Sequence, residues 1–139
     1  MTFEKASISA DTAKKIIEAA EAKAKEMGVP SSIAIVDESG VLKAFSRMDG
    51  AALLSIEIAK EKAYTGAGFG MPTHEVFNFI STDQQLLTGL PLVNKLSVVG
   101  GGFPIMIDGK LVGGIGISGG HYTQDMAIAE AALSAAVAV

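Results

Sequence analysis

An α+β domain, with helices packed on an antiparallel sheet, is the fold class that this 139-residue sequence predicts. Three observations predict it. Two pairs of apolar stretches are joined by connections short enough for antiparallel hairpins, Glu38-Ser39-Gly40 in one and Asp108-Gly109 in the other. Longer segments before, between and after them carry apolar residues at helical spacing. The resulting order of helix, hairpin, helices, hairpin, helix places helices on an antiparallel sheet rather than between parallel strands.

Ala13, Ile16, Ile17, Ala20, Ala24 and Met27 recur at helical spacing and predict a first helix over about 10–27. Ser9 is its expected N-cap, Asp11 sits in its first turn, and Gly28 followed by Pro30 stops it. Ser32–Asp37 and Val41–Met48 form the first hairpin, with Gly40 where positive φ is tolerated. The unbroken apolar run Ile33–Val36 suits a central strand covered on both faces. Its partner alternates Val41, Lys43, Phe45 and Arg47 against Leu42, Ala44, Ser46 and Met48, so it belongs nearer the periphery.

From Ala51 to about Ala67 a second helix is expected, with Leu53, Ile56, Ala59 and Ala63 on one face, Lys60 and Glu61 on the other, and Gly66, Gly68 and Gly70 ending it. A short helix over His74–Ile80 follows, with Thr73 as N-cap. Residues 81–95 have no period and contain Gly89 and Pro91, which predicts an irregular surface connection. Ile105–Ile107 and Leu111–Ile117 then pair around Asp108-Gly109, a type I′ signal because both central residues need positive φ. Gly113, Gly114 and Gly116 bring no side chain into the second of these strands, so another backbone or a ligand approaches closely there. The last helix, about 122–137, repeats Ala127, Ala129, Ala131, Ala132, Ala135 and Ala136, small enough for close packing on the sheet or on a partner subunit. The whole chain, 1–139, reads as one domain.

Composition bounds the function. The chain is 49% hydrophobic and 19% charged, with mean hydropathy +0.40, an apolar surplus that implies burial between the subunits of a homo-oligomer. A net charge of −4 with eleven scattered basic residues argues against a nucleic-acid partner. No segment has the apolar length of a membrane span, and the first residues lack the apolar core of a secretory signal, so a cytoplasmic location is expected. Without cysteine there is no thiol nucleophile, thiolate-ligated haem, iron–sulfur cluster or thiolate zinc site.

Gly114-Ile115-Gly116-Ile117-Ser118-Gly119 matches G-x-G-x-x-G and leads from a strand into a helix. A dinucleotide fingerprint also needs a βαβ unit and an acidic residue on a following parallel strand, and this chain ends after one helix. Two readings remain for Gly119 and Gly120: a nest whose amides hold a carboxylate, or packing alone. The two histidines, His74 and His121, each lie near a predicted helix start, and neither has the i, i+4 partner of a helical zinc site, so no metal site is expected. His121 directly follows the glycines, which suits an axial haem ligand, a general acid or base, a neutral donor to a carboxylate, or an exposed cap with no role. Lys62 falls among Ala59, Ala63 and Gly66, which leaves its amine room to reach a pocket, and Thr65 lies one turn on. Asp125 is placed to complement the last helix's dipole, and Arg47 is spaced to pair with Asp49.

Several segments carry a resemblance in their order and spacing. They are Ala34-Ile35-Val36-Asp37-Glu38-Ser39-Gly40, Phe45-Ser46-Arg47-Met48-Asp49-Gly50-Ala51, Ala59-Lys60-Glu61-Lys62-Ala63-Tyr64-Thr65, Gly100-Gly101-Gly102-Phe103-Pro104 onward to Ser118-Gly119-Gly120, and Gln124-Asp125. Together they resemble the haem-binding HbpS/GlcG-like family over nearly the whole chain. The resemblance implies a profilin-like α-β-α sandwich assembled into dimers or larger homo-oligomers, octamers included. It implies haem as cofactor, with His121 or His74 as imidazole, propionates near Lys62 or the glycine-loop amides, and an apolar wall of Phe69, Met71 and Phe77. Cofactor-binding candidates are therefore His121, His74, Gly119, Gly120, Lys62, Thr65 and Phe69. Two functions follow, with a purely structural oligomeric scaffold as a third alternative. One is binding of a haem or related tetrapyrrole for storage, sensing or degradation. The other is accessory catabolic chemistry on a small organic acid, with His121 and Lys62 transferring protons in a tautomerisation or decarboxylation.

Overall fold

Ser9 opens the first helix, α1 (Ala10–Met27), by accepting the Thr12 N–H on its Oγ at 3.1 Å. Gly28 closes it in the left-handed region, with Gly28 N–H bonded to the Lys25 carbonyl and Val29 N–H to the Ala24 carbonyl, the paired bonds of a Schellman stop. In this computed structural model, which describes residues 1–137, α1 is followed by β1 (Ser32–Asp37), β2 (Leu42–Arg47), α2 (Ser55–Phe69), α3 (Thr73–Ile80), α4 (Gln84–Gly89), β3 (Gly102–Ile107), β4 (Lys110–Ser118) and α5 (Tyr122–Val137).

The four strands form one antiparallel sheet in the order β2-β1-β4-β3. Both hairpins turn as expected: Gly40 has φ 80°, while Asp108 and Gly109 have φ 53° and 74°. The Asp37 carboxylate steadies the first turn by accepting the Ser39 and Val41 amides. β1 is central and β2 lies at an edge, as the contrast between their sequences predicted. β3 starts three residues earlier than the apolar pattern marked, at Gly102. Its Pro104 is tolerated because β3 is the other edge strand.

Alternation along the strands sends Ile33, Ile35, Ile105, Ile115 and Ile117 to one face, where they pack with α1 and α5. Ala34 and Val36 point to the other face and meet Ala59, Ala63 and Ala67 of α2. The result is an α-β-α sandwich. On the α2 face the sheet contributes Gly114 and Gly116, where an added Cβ would run into the backbone of Ala63 and Ala59. The close approach expected at these glycines is therefore that of a helix backbone.

Four expectations are corrected. The second helix begins at Ser55, so Leu53 precedes it and is 74% exposed instead of lying on its buried face. Gly66 and Gly68 do not end that helix but lie within it. Gly66 sits over the Phe103 backbone with no room for a Cβ, and only Gly70, at φ 65°, terminates the helix. Thr73 is the first residue of α3 rather than its cap, because its hydroxyl is engaged elsewhere and Pro72 takes the cap position. The supposedly irregular 81–95 contains α4, capped by Asp83, and a 3₁₀ turn over Leu90–Leu92, elements too short to show a period.

Candidate functional site

Lys62 crosses from one layer of the sandwich to the other. It leaves α2 on one face of the sheet and is 1% exposed; its Nζ donates to the Ile117 carbonyl at 2.8 Å and to Asp125 Oδ2 of α5 at 3.0 Å. The opening it uses lies beside Gly101, whose φ is +123° and where a Cβ would stand 2.9 Å from the Lys62 Nζ. Asp125 in turn accepts the Gly120 amide on Oδ1 at 3.1 Å. Burial pushes the Lys62 ammonium below the ordinary lysine range and the Asp125 carboxyl above the ordinary carboxylate range, and each charge partly pulls the other back. This pair ties α2, the end of β4 and the start of α5 together. Asp125 thus does more than complement a dipole, and Lys62's amine points into an enclosed ion pair.

The glycine loop is satisfied from within. Gly120 N–H goes to Asp125, and His121 N–H goes to Gln124 Oε1 at 3.0 Å. Gly119 lies against the Pro30–Ser31 backbone, where a side chain has no space. His121 is exposed and caps α5: its Nδ1 accepts the Thr123 N–H at 3.3 Å and lies 2.8 Å from the Thr123 hydroxyl. With Gln124 reaching back, this has the reciprocal form of a capping box. Its ring stacks on Tyr122 with centroids 4.2 Å apart.

His74 stands in different surroundings. It is half-buried in the first turn of α3, its ring tilted against Phe103 with centroids 5.7 Å apart. Its Nδ1 is buried without a hydrogen-bond partner, the only such side-chain atom among the described residues. The ring borders a cleft of about 390 Å³ lined by His74, Phe77, Asn78, Val98, Val99, Gly100 and Tyr122. A buried polar atom left unpaired costs about 1–3 kcal/mol, and apolar clefts with a few polar groups are the usual form of small-molecule sites.

The sequence-predicted residues therefore do not converge. His74 and Phe77 line this cleft, and His121 touches it only through its neighbour Tyr122. Phe69 is exposed at the end of α2, and neither it nor Met71 lines the cleft. Thr65 is buried, donating to the Glu61 carbonyl and accepting the Ser97 amide at 2.8 Å. Arg47 and Asp49 make none of the ion pairs among the described residues. Instead they border a second depression, with Glu21 and Lys25. Sequence reasoning missed Asn78, Val98, Val99 and Tyr122 as lining residues, since nothing in their types marks them, whereas Gly100 belongs to the glycine run the sequence singled out. No group of three or more histidine, aspartate or glutamate side chains among the described residues is placed to hold a metal. No described helix is long and apolar enough to cross a membrane.

Fold and cleft define a class: an α-β-α sandwich with a one-sided apolar cleft at the edge of its sheet and a single imidazole in the cleft wall. The chain belongs to the family described as haem degrading protein HbpS-like, whose model matches residues 8–134. It is 40% identical over 130 residues to the uncharacterized 15.0 kDa protein in the dhaT-dhaS intergenic region of Citrobacter freundii, covering 92% of this chain and 91% of that one. The crystal structure of Klebsiella pneumoniae protein ORFY superposes with TM-score 0.92 at 31% identity, covering 99% of this chain and 96% of that one. The crystal structure of a PduOC:heme complex superposes with TM-score 0.85 at 35% identity, covering 93% and 94%.

Proposed function

We propose that this protein binds a haem or related tetrapyrrole in the cleft between α3, residues 98–100 and the start of α5, with His74 as its imidazole. The observation that carries this reading is the half-buried His74 ring, with an unpartnered Nδ1, in a wall otherwise formed by Phe77, Val98, Val99 and Tyr122. Such residues fit the group: an imidazole to ligate iron and apolar side chains to cover a macrocycle. Bound haem iron would supply redox and oxygen chemistry. The chain's own part is to hold the macrocycle, keep water from one face and present a nitrogen to the metal. The heme complex of PduOC, similar over almost the whole chain, supports the same class of ligand.

The cleft is open on one side, and Phe77, Val99 and Tyr122 in its wall are all substantially exposed. We read this rim as the contact surface of a homo-oligomer that closes the site. Storage, sensing or degradation of the tetrapyrrole are the roles such a site serves. Proton transfer by His121 and Lys62 on a small acid finds less support, because the Lys62 amine is enclosed and the His121 Nδ1 is held by the α5 cap.

Hemin titration followed by absorbance tests the reading, with His74→Ala and His121→Ala alongside. The expected result is a saturable Soret band with simple stoichiometry, lost in His74→Ala and kept in His121→Ala. An unsaturable response, identical in all three proteins, contradicts it.

A further inference from the structure

The segment after α4 that supplies one wall of the cleft has no regular structure of its own over residues 93–101. Its shape comes from two buried threonines. At one end Thr65 Oγ1 of α2 accepts the Ser97 N–H at 2.8 Å. At the other, Thr73 Oγ1 of α3 donates to the Val99 carbonyl at 2.7 Å and accepts the Gly102 N–H at 3.0 Å. A hydroxyl carries one donor, and at Thr73 both the donor and an acceptor position are occupied by backbone. Between these two anchors lie Val98, Val99 and Gly100, which line the cleft together with His74, Phe77, Asn78 and Tyr122. Thr73 also immediately precedes His74 in α3, so one buried residue links His74 to the segment that carries Val98–Gly100.

We infer that Thr65 and Thr73 are positioning residues for the cleft, their hydroxyls setting the spacing between the His74 wall and the Val98–Gly100 wall. Neither lines the cleft, and both act through the segment they pin. Thr65, expected from sequence to touch a cofactor, acts on it only at one remove. The inference rests on the cleft being the ligand site, but the spacing itself can be read without ligand.

The decisive variants are Thr73→Val, which keeps the side-chain shape and deletes the hydroxyl, and Thr73→Ser, which keeps the hydroxyl. In the apo-protein, Thr73→Val is expected to speed amide exchange across 98–102 and to shift the His74 ring resonances, with Thr73→Ser close to wild type. In a hemin titration Thr73→Val should bind about tenfold more weakly with an altered Soret maximum, and Thr73→Ser should restore both. A merely structural hydroxyl would lower the melting temperature and leave the ring resonances and the Soret maximum in place, and that outcome overturns the inference. Should Thr73→Val not fold, Thr65→Val decides it: faster exchange confined to 97–99 and a displaced Soret maximum support the inference, and unchanged values overturn it. Should wild type itself take up no hemin saturably, the haem reading fails, and the apo exchange and ring resonances still decide whether the threonines set the cleft.

Discussion

The two faces of the sheet are built from different materials. Toward α1 and α5 the strands present Ile33, Ile35, Ile105, Ile115 and Ile117, and the layers are held apart by branched side chains. Toward α2 they present Ala34, Val36, Gly114 and Gly116, and the helix answers with Ala59, Ala63 and Ala67. The thick face gains stability from buried apolar area. On the thin face, the helix backbone lies close enough to the sheet for a lysine side chain to pass beside Gly101 and bond to the opposite layer. The buried ion pair thus crosses the sheet where a glycine leaves room for it.

The sharpest way to break the contrast is a branched side chain on the thin face. Gly116→Val puts its Cβ into the Ala59 backbone, which cannot move away without detaching α2. A loss of more than about 4 kcal/mol, or no folded protein, is expected in urea denaturation. On the thick face the neighbouring Ile115→Val should cost only about 1 kcal/mol, because a methyl group is lost from a side-chain layer that can relax.

Between these extremes lies the ion pair. Lys62→Met leaves Asp125 buried and uncompensated and should cost about 3 kcal/mol, whereas the double variant Lys62→Met/Asp125→Leu should recover most of that loss. Its pH dependence has a definite sign. Burial raises the Asp125 pKa above its ordinary 3.8, so the proton it holds in the folded state contributes stability that is complete below 3.8 and is lost as pH rises through the folded value. Lys62 is lowered from 10.5, so its contribution is recovered as pH climbs from its folded value toward 10.5. The melting temperature of wild type minus that of Asp125→Asn should therefore fall as pH rises above about 4, because asparagine has no proton to lose.

Local signals carried most of the fold. Asp108-Gly109 and Gly40 announce their turns because positive φ leaves few alternatives, and α1 is legible from its period together with Ser9 and Gly28. The sequence also pointed to something close at Gly113, Gly114 and Gly116, without saying that it was α2 at Gly114 and Gly116 and the Val36 backbone of β1 at Gly113. Leu53 misled because an apolar residue just before a helix looks like part of its stripe, while the true stripe is alanine and glycine and has little hydrophobic contrast. The site was less legible still. Lys62 and Asp125 are 63 positions apart, and only the small residues around Lys62 hinted that its amine had somewhere to go. His74 was recognised as an imidazole, but it shares its cleft with Val98, Val99 and Gly100, whose segment is hydrogen-bonded to the hydroxyls of Thr65 in α2 and Thr73 in α3.

If ligand sits at the His74 cleft, it is absent from the glycine loop and from the depression bordered by Tyr64, Lys60 and Lys95. Amide and imidazole NMR spectra recorded during titration with gallium protoporphyrin, a diamagnetic stand-in for haem, would map the contact directly. Saturating shifts are expected to centre on residues 74–78, 98–100 and 122, with the His74 ring among the most affected. Shifts centred on Gly119–His121, or on Gly40, Lys60 and Tyr64, with His74 unmoved, would contradict a ligand at the His74 cleft.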